Sequence, residues 1–244
     1  MTPVLVLRKF DEFSRILTEN DFKVINCPTI ETVESGDSPD LAAKVSARRY
    51  DGVFLTSRQA TAIAAREIFS NGFAYAGKVY VLGKRSFELL KDKNLDLFFS
   101  ESANTAGEML ASIPLEDLRN KRFLFVRGEK SLRAVPEFLG KIAAVDEAVV
   151  YETRRVAVEE DLKAKIETRL RAGEIAAACF FSPSGAESFL AQFGAQSLRR
   201  TKTAAIGKTT ADFLERRNLK ANFVAAKATA EDFAAELIDY LKGN

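Results

Sequence analysis

Two stretches of this chain repeat each other, and a chain that carries one set of folding instructions twice is constrained to build two similar units. VLGKRSFELLKDKNL (residues 81–95) aligns with AIGKTTADFLERRNL (205–219). The alignment pairs Gly83 with Gly207, Lys84 with Lys208, Leu90 with Leu214, and Asn94-Leu95 with Asn218-Leu219. It runs on without a gap to Phe99 with Phe223 and to Thr105-Ala106 with Thr229-Ala230. Upstream, VFLTSRQA (53–60) matches CFFSPSGA (179–186), and a third echo pairs VLVLR ending at Arg8 with FLFVR ending at Arg127. Agreement over three blocks in the same order reads as internal duplication, and it predicts two similar lobes facing a shared cleft.

Short β-rich runs alternate with amphipathic helical stretches almost from end to end. The pattern predicts strands at 4–7, 24–26, 53–55, 79–82, 97–99, 123–126, 148–151, 178–181, 203–206 and 222–224. Helices are expected between most of them, at 59–69, 86–91, 105–112, 136–139, 159–172, 186–193, 210–217 and 230–241. Such alternation favours parallel sheets with right-handed crossovers. The expected class is α/β, with two similar parallel-sheet lobes of flavodoxin-like or Rossmann-like type. Residues 32–40 (TVESGDSPD) are the most linker-like stretch, and the polar segment ETRRVAVEED after Tyr151 is their counterpart. A discontinuous first lobe follows (1–33 plus 155–244), interrupted by a second (38–150). The connections at 33–38 and 150–155 form a two-stranded linker and a hinge.

Composition narrows the chemistry. The 244 residues can bury a real core, and no apolar run approaches the ~20 residues of a membrane span. The start, MTPVLVLRKF, reads as a first strand and not a signal peptide. Cys27 and Cys179 are too few for a disulfide framework, so a reducing cytoplasm is expected. With 36 Lys+Arg against 34 Asp+Glu and no concentrated basic stripe, nucleic acid is not an expected partner. Histidine is absent, which removes the usual neutral-pH acid/base and every Ser-His-Asp or Cys-His device. Two distant cysteines without histidine also exclude the common zinc patterns. There is no GxGxxG and no GxxxxGK[ST], hence no standard nucleotide cradle. Any reaction must use carboxylates, Tyr, Lys, Arg, hydroxyls or backbone amides.

In an open parallel sheet, ligands bind beyond the C-terminal strand ends, where helix N-termini point their amides. Five groups of residues fit that position: Thr56-Ser57, the run from Gly83 and Lys84 to Ser86, Ser182 with Ser184 and Gly185, the run from Gly207 and Lys208 through Thr209 and Thr210, and the pair Thr105 and Thr229. Each would set an N-cap hydroxyl before a helix, where anions are favoured. Ser and Thr also cap helices in proteins that bind nothing there. Arg8 and Arg127 end equivalent strands, and each would serve either as a bidentate carboxylate ligand or as a surface ion-pair partner. Lys84 and Lys208 stand beside matched glycines, near a ligand or simply in solvent. Tyr151 ends the apolar strand AVVYET just before the return linker, either as a phenolic proton donor or as an interface tyrosine.

These residues, taken in order, resemble the uroporphyrinogen-III synthase family over nearly the whole chain. The likeness rests on the strand ending in Arg8, FLTSRQA, VLGKRS, FVRGE at Arg127-Gly128, VVYET, FFSPSGA, AIGKTTA and ATAEDF at Thr229. It implies two lobes joined by a two-stranded connection, the first formed from both chain ends. It also implies a cofactor-independent lyase that cyclises hydroxymethylbilane, with loss of water and inversion of ring D through a spiro intermediate. The implied substrate is a tetrapyrrole polycarboxylate, the implied upstream supplier is hydroxymethylbilane synthase, and the expected state is a monomer. The family tyrosine falls on Tyr151. Two departures stand out: Glu129-Lys130-Ser131-Leu132-Arg133 replaces a Gly-Gly-Arg, leaving Arg133 as a displaced substitute, and Lys9 replaces a proline. The rival readings are a non-catalytic two-lobed protein that binds or senses a small anion, and an unrelated Rossmann-like transferase.

Overall fold

Residues 1–34, 36–70 and 75–243 are described by a computed structural model. In chain order the elements are β1 (Thr2–Val6), α1 (Glu12–Glu19), β2 (Phe22–Asn26), β3 (Ile30–Glu34), α2 (Leu41–Ala47), β4 (Gly52–Leu55), α3 (Arg58–Glu67), β5 (Lys78–Val81) and α4 (Lys84–Glu88). They continue with β6 (Asp96–Phe99), α5 (Ala106–Ala111), β7 (Arg122–Gly128), α6 (Ala134–Leu139), β8 (Ala144–Arg155), α7 (Glu160–Ala172) and β9 (Ala177–Phe180). The last are α8 (Pro183–Phe193), β10 (Lys202–Ala205), α9 (Lys208–Glu215), β11 (Phe223–Val224) and α10 (Ala230–Lys242). Among the described residues no helix is long and apolar enough to cross a membrane.

The chain divides into two compact units, Met1–Glu31 with Arg154–Asn244, and Thr32–Thr153. The first holds a sheet of order β11-β10-β9-β1-β2, the second one of order β3-β8-β7-β4-β5-β6. Read backwards from β6, the second sheet runs β6-β5-β4-β7-β8, which is the first sheet's order element for element. Ladder register carries the match down to single residues. Lys78 and Lys202 are equivalent in the long repeat; Lys78 lies opposite Gly52, and Lys202 lies opposite Ala177. Gly52 therefore corresponds to Ala177, and Ser57 to Ser182. The motif alignment, which paired Ser57 with Pro183, is one residue out because it followed side-chain likeness where sheet register decides. Register also equates Arg8 with Arg127, as the sequence echo does.

In the first unit β1 pairs in parallel with β2 and β9, and β10 with β9 and β11. In the second, β4 pairs in parallel with β5 and β7, β5 with β6, and β7 with β8. Central strands such as β4 are buried along their whole length, as parallel strands covered on both faces must be. Helices on the two faces give each unit two core layers. In the second unit, Leu55, Ile63, Val79 and Val126 fill one layer, while Phe54, Tyr80, Met109 and Phe123 fill the other. Phe54 stacks on Tyr80 at 4.3 Å between ring centres and meets Phe123 edge-on at 5.3 Å. Burial of each such ring stabilises the fold by about 1.5–3 kcal/mol. In the first unit, Leu5, Ala178, Phe180 and Phe189 fill one layer and Val6, Phe13, Cys179 and Phe233 the other.

Both connecting stretches run as strand over part of their length. In 33–38, β3 takes in Val33 and Glu34, while Ser35 lies outside the described residues. Ile30, Thr32 and Val33 are β-branched and favour a pleated strand, a signal overshadowed by the Ser-Gly-Asp-Ser-Pro run that follows. The stretch 150–155 is likewise the end of β8. Helices α1 and α2 add to the expected set; α1 begins at Asp11, whose carboxylate caps the Ser14 N–H. Each unit bonds the chain on its own side of the crossings. In the first unit, the Thr29 carbonyl accepts the Val156 N–H (2.9 Å) and the Ser188 hydroxyl (2.6 Å). Gln192 bonds the backbone of both Val156 and Val158. In the second, Asp37 bonds Val149 through both its amide and its carboxylate, at 2.9 Å each.

Two solution properties follow. Burial pushes the Cys27 thiol up to about 12 and raises that of Cys179 as well. A thiol reagent at about pH 8 should therefore label neither cysteine natively and both in denaturant. Glu34 is held below its ordinary value by its hydrogen bond to the Arg66 guanidinium, against some desolvation and with help from Ser38. A lowered native value stabilises the fold above the unfolded-state value, and that stabilisation is lost as pH falls through the native one. Urea midpoints of Arg66→Gln should thus lie below the parent's at neutral pH, with the gap closing below about pH 3.

Candidate functional site

The chemistry-bearing end of the second unit is built on β4, β7 and β8. Strand β4 ends at Leu55; Thr56 follows half-buried, and Ser57 takes an extended conformation (φ −139°) as the N-cap of α3. Its Oγ accepts the Ala60 N–H at 3.2 Å, satisfying one of the helix's unpaired first-turn donors. Between β7 and β8 the register slips: Arg127 lies opposite Val149, but Gly128 lies opposite Tyr151. Val150 is the extra residue of a β-bulge, and its side chain is fully buried. Because of the bulge, the consecutive residues Val150 and Tyr151 both pack on the same core layer, where a regular strand would send them to opposite faces. The Tyr151 hydroxyl donates to Ser57 Oγ at 3.1 Å.

Gly128 shows how closely the tyrosine is fitted. A Cβ at that position would stand 2.4 Å from Cε2 and Cζ of Tyr151 and 2.8 Å from its hydroxyl. The loop beyond is drawn tight: the Glu129 N–H bonds the Tyr151 carbonyl (2.9 Å), and the Gly128 N–H bonds Ser131 Oγ (3.1 Å).

Arg127 is committed to this loop. Its Nε donates to Glu147 Oε2 at 2.5 Å and its Nη1 donates to the carbonyls of Gly128 and Glu129, each at 2.9 Å. Of the two readings, the ion pair is the one present here, but it is mostly buried, with only 14% of the Arg127 side chain exposed. Arg133 joins the same carboxylate at 3.0 Å and is more than half exposed. Arg8, its match in the first unit, is placed differently. Ladder register sets Asn26 where the second unit has Glu147, and that amide donates to the Arg8 carbonyl instead. The Arg8 guanidinium pairs with Asp11 at 2.9 Å and lies 4.5 Å over the Phe181 ring, with 39% of its side chain exposed.

The other candidate loops divide into caps and exposed groups. Thr105 closes a capping box with Glu108, and Thr229 Oγ1 accepts the Asp232 N–H while donating to its carboxylate. Ser182 caps α8 through the Gly185 N–H at 3.1 Å and lies 3.2 Å from the Ser184 hydroxyl. Gly185 itself is buried, its carbonyl taken by Thr29. In the Gly83 and Gly207 loops the cap position is the glycine, so no hydroxyl caps α4 or α9. Thr210 is buried, while Lys84, Lys208 and Thr209 are exposed. Gly83 is left-handed (φ +86°), as glycine readily allows; Gly207 is simply extended. Lys84 lines an open cavity of about 480 Å³ with Gly83, Phe87, Glu88, Phe99 and Glu101, two carboxylates among them. Lys208 reaches Asp212 at 3.5 Å.

Of the sequence candidates, Thr56, Ser57, Tyr151 and Arg127 come together at one end of one sheet. Sequence reasoning missed Gly128 and Glu147. Arg-Gly at the end of an apolar strand is a signal of close backbone approach; Glu147 emerges only once β7 and β8 are in register. The contrast between the paired arginines is testable. Arg127→Gln should lower the urea-unfolding free energy by about 1–3 kcal/mol, and Arg8→Gln by less than about 1 kcal/mol.

Comparison with known proteins converges on one family. The family model for uroporphyrinogen-III synthase HemD matches residues 11–235. The chain is 26% identical over 254 residues to the uroporphyrinogen-III synthase of Chlorobaculum parvum (strain DSM 263 / NCIMB 8327), covering 99% of this chain and 100% of that one. Its fold is similar to that of uroporphyrinogen-III synthetase from Helicobacter pylori 26695, with a TM-score of 0.66 at 15% identity over 98% of this chain and 100% of that one. It is equally similar to a mutant uroporphyrinogen III synthase from the extremely thermophilic bacterium Thermus thermophilus, with a TM-score of 0.66 at 17% identity over 100% of both chains. The two structures speak for the fold, the family match for descent across both units: this chain belongs to the uroporphyrinogen-III synthase family.

Proposed function

We propose that this chain is a uroporphyrinogen-III synthase, cyclising hydroxymethylbilane to uroporphyrinogen III with loss of water and inversion of ring D. The observation that carries the mechanism is the Tyr151 hydroxyl, held 3.1 Å from Ser57 at the C-terminal strand ends of a parallel sheet. Loss of the hydroxymethyl oxygen needs a proton donor, and a fixed phenol supplies one in a chain that has no histidine. The pyrroles furnish the electrons for carbon–carbon bond formation, so the protein's share is proton delivery and orientation. Holding ring D so that inverted closure outruns spontaneous closure is an effect of positioning.

For the substrate's carboxylates, exposure favours Lys84, Lys208 and Thr209, with Arg8 and the half-buried hydroxyls of Thr56, Ser182 and Ser184 as further ligands. Thr105 and Thr229 contribute less directly, since their hydroxyls already serve their helices. In this reading hydroxymethylbilane synthase supplies the substrate. The chain works as a cytoplasmic monomer, where two buried, unpaired thiols are at home.

Freshly made hydroxymethylbilane should yield the type III isomer when the products are resolved; only type I at the spontaneous rate would reject the activity. Tyr151→Phe should slow closure by about 100-fold or more while weakening product binding far less, and unchanged turnover would remove Tyr151 as the donor.

A further inference from the structure

Tyr151 is held at three places by groups of its own unit. Its backbone carbonyl accepts the Glu129 N–H, and its ring rests against Gly128, where a Cβ would come within 2.4 Å. Its hydroxyl donates to Ser57 Oγ, which also accepts the Ala60 N–H. Those two bonds occupy the serine oxygen's acceptor sites and tie it to the first turn of α3. Its own O–H is left free to donate, and the two accepted bonds fix where that O–H sits beside the phenol oxygen.

We propose that Ser57 is a positioning residue for Tyr151: it fixes the phenol oxygen for proton transfer, and Gly128 is the backbone surface that fixes the ring. The inference rests on the reading of Tyr151 as proton donor. In the step it serves, the C–O bond of the hydroxymethyl group breaks, the oxygen takes the bonding pair and the Tyr151 proton, and water leaves. The phenolate that remains gains a donor when the Ser57 O–H turns toward it. The proton released as the closing pyrrole regains aromaticity restores the phenol, so protons balance over the cycle.

Ser57→Gly removes the hydroxyl while costing only a few tenths of a kcal/mol as a cap, so folding is retained; Ser57→Thr keeps the hydroxyl. With freshly made hydroxymethylbilane, Ser57→Gly should lower kcat about 10- to 100-fold and leave KM within about 2-fold. Ser57→Thr should recover most of the loss. The double variant Ser57→Gly/Tyr151→Phe should be no slower than Tyr151→Phe alone, because the serine acts through the phenol. A raised KM at unchanged kcat, or losses that multiply in the double variant, would overturn the role of Ser57 and leave Tyr151 as donor. Full turnover by Tyr151→Phe would overturn the donor reading itself, and this inference with it.

Discussion

The placement of Tyr151 in the second unit depends on one steric fact: its ring occupies the space that any side chain at position 128 would need. The bulge at Val150 brings the ring onto the core face, Arg127 and Glu147 hold the loop that carries Gly128, and Ser57 receives the hydroxyl. None of these contacts is strong alone. Their value lies in convergence, since a phenol bound at ring, backbone and oxygen has little rotational freedom to lose when a substrate arrives. The core beneath is equally confined, with Ala148 and Val150 fully buried beside it.

Duplication explains the scaffold but not the chemistry. Equivalent strands end in Arg8 and Arg127, yet their neighbours differ, Asn26 in one unit and Glu147 in the other. A neutral amide leaves Arg8 to the Phe181 face and the half-buried Asp11, while a carboxylate draws Arg127 inward. One copied arginine thus became two residues with different work through a change on the adjacent strand. The same divergence separates Gly83, left-handed, from Gly207, extended, at matching turns.

Much of this architecture was legible in the residues. Apolar runs such as VLVL and VFL announce buried parallel strands, and the long repeat sets β5 and α4 against β10 and α9 without error. What failed did so for local reasons. Polar residues after Thr32 hid a strand built on Ile30 and Val33, and likeness of short motifs misplaced Ser57 by one residue. The candidate hydroxyls were recognisable as caps, but which of them were spoken for was not. Thr105 and Glu108 answer each other within one turn, a local pattern that composition can suggest. Ser57 and Tyr151 meet only because β8 bulges against β7, a long-range fact that no window of sequence contains. The partner of Arg127 was hidden on the same account, since Glu147 lies on the next strand.

The order of strands in the first unit has a kinetic side. Strand β1 lies between β2 and β9, so Val6 pairs with both Asn26 and Cys179. As the chain is synthesised, the second unit, one continuous segment, can assemble from near neighbours. Strands β1 and β2 must wait for β9 to close their sheet, with the apolar faces of Leu5 and Val6 uncovered meanwhile. Contacts so distant along the chain form slowly, and waiting strands are where misfolding begins. The arrangement that interrupts one unit with the other therefore sets a sequence of events: the unit that carries Tyr151 is able to fold first.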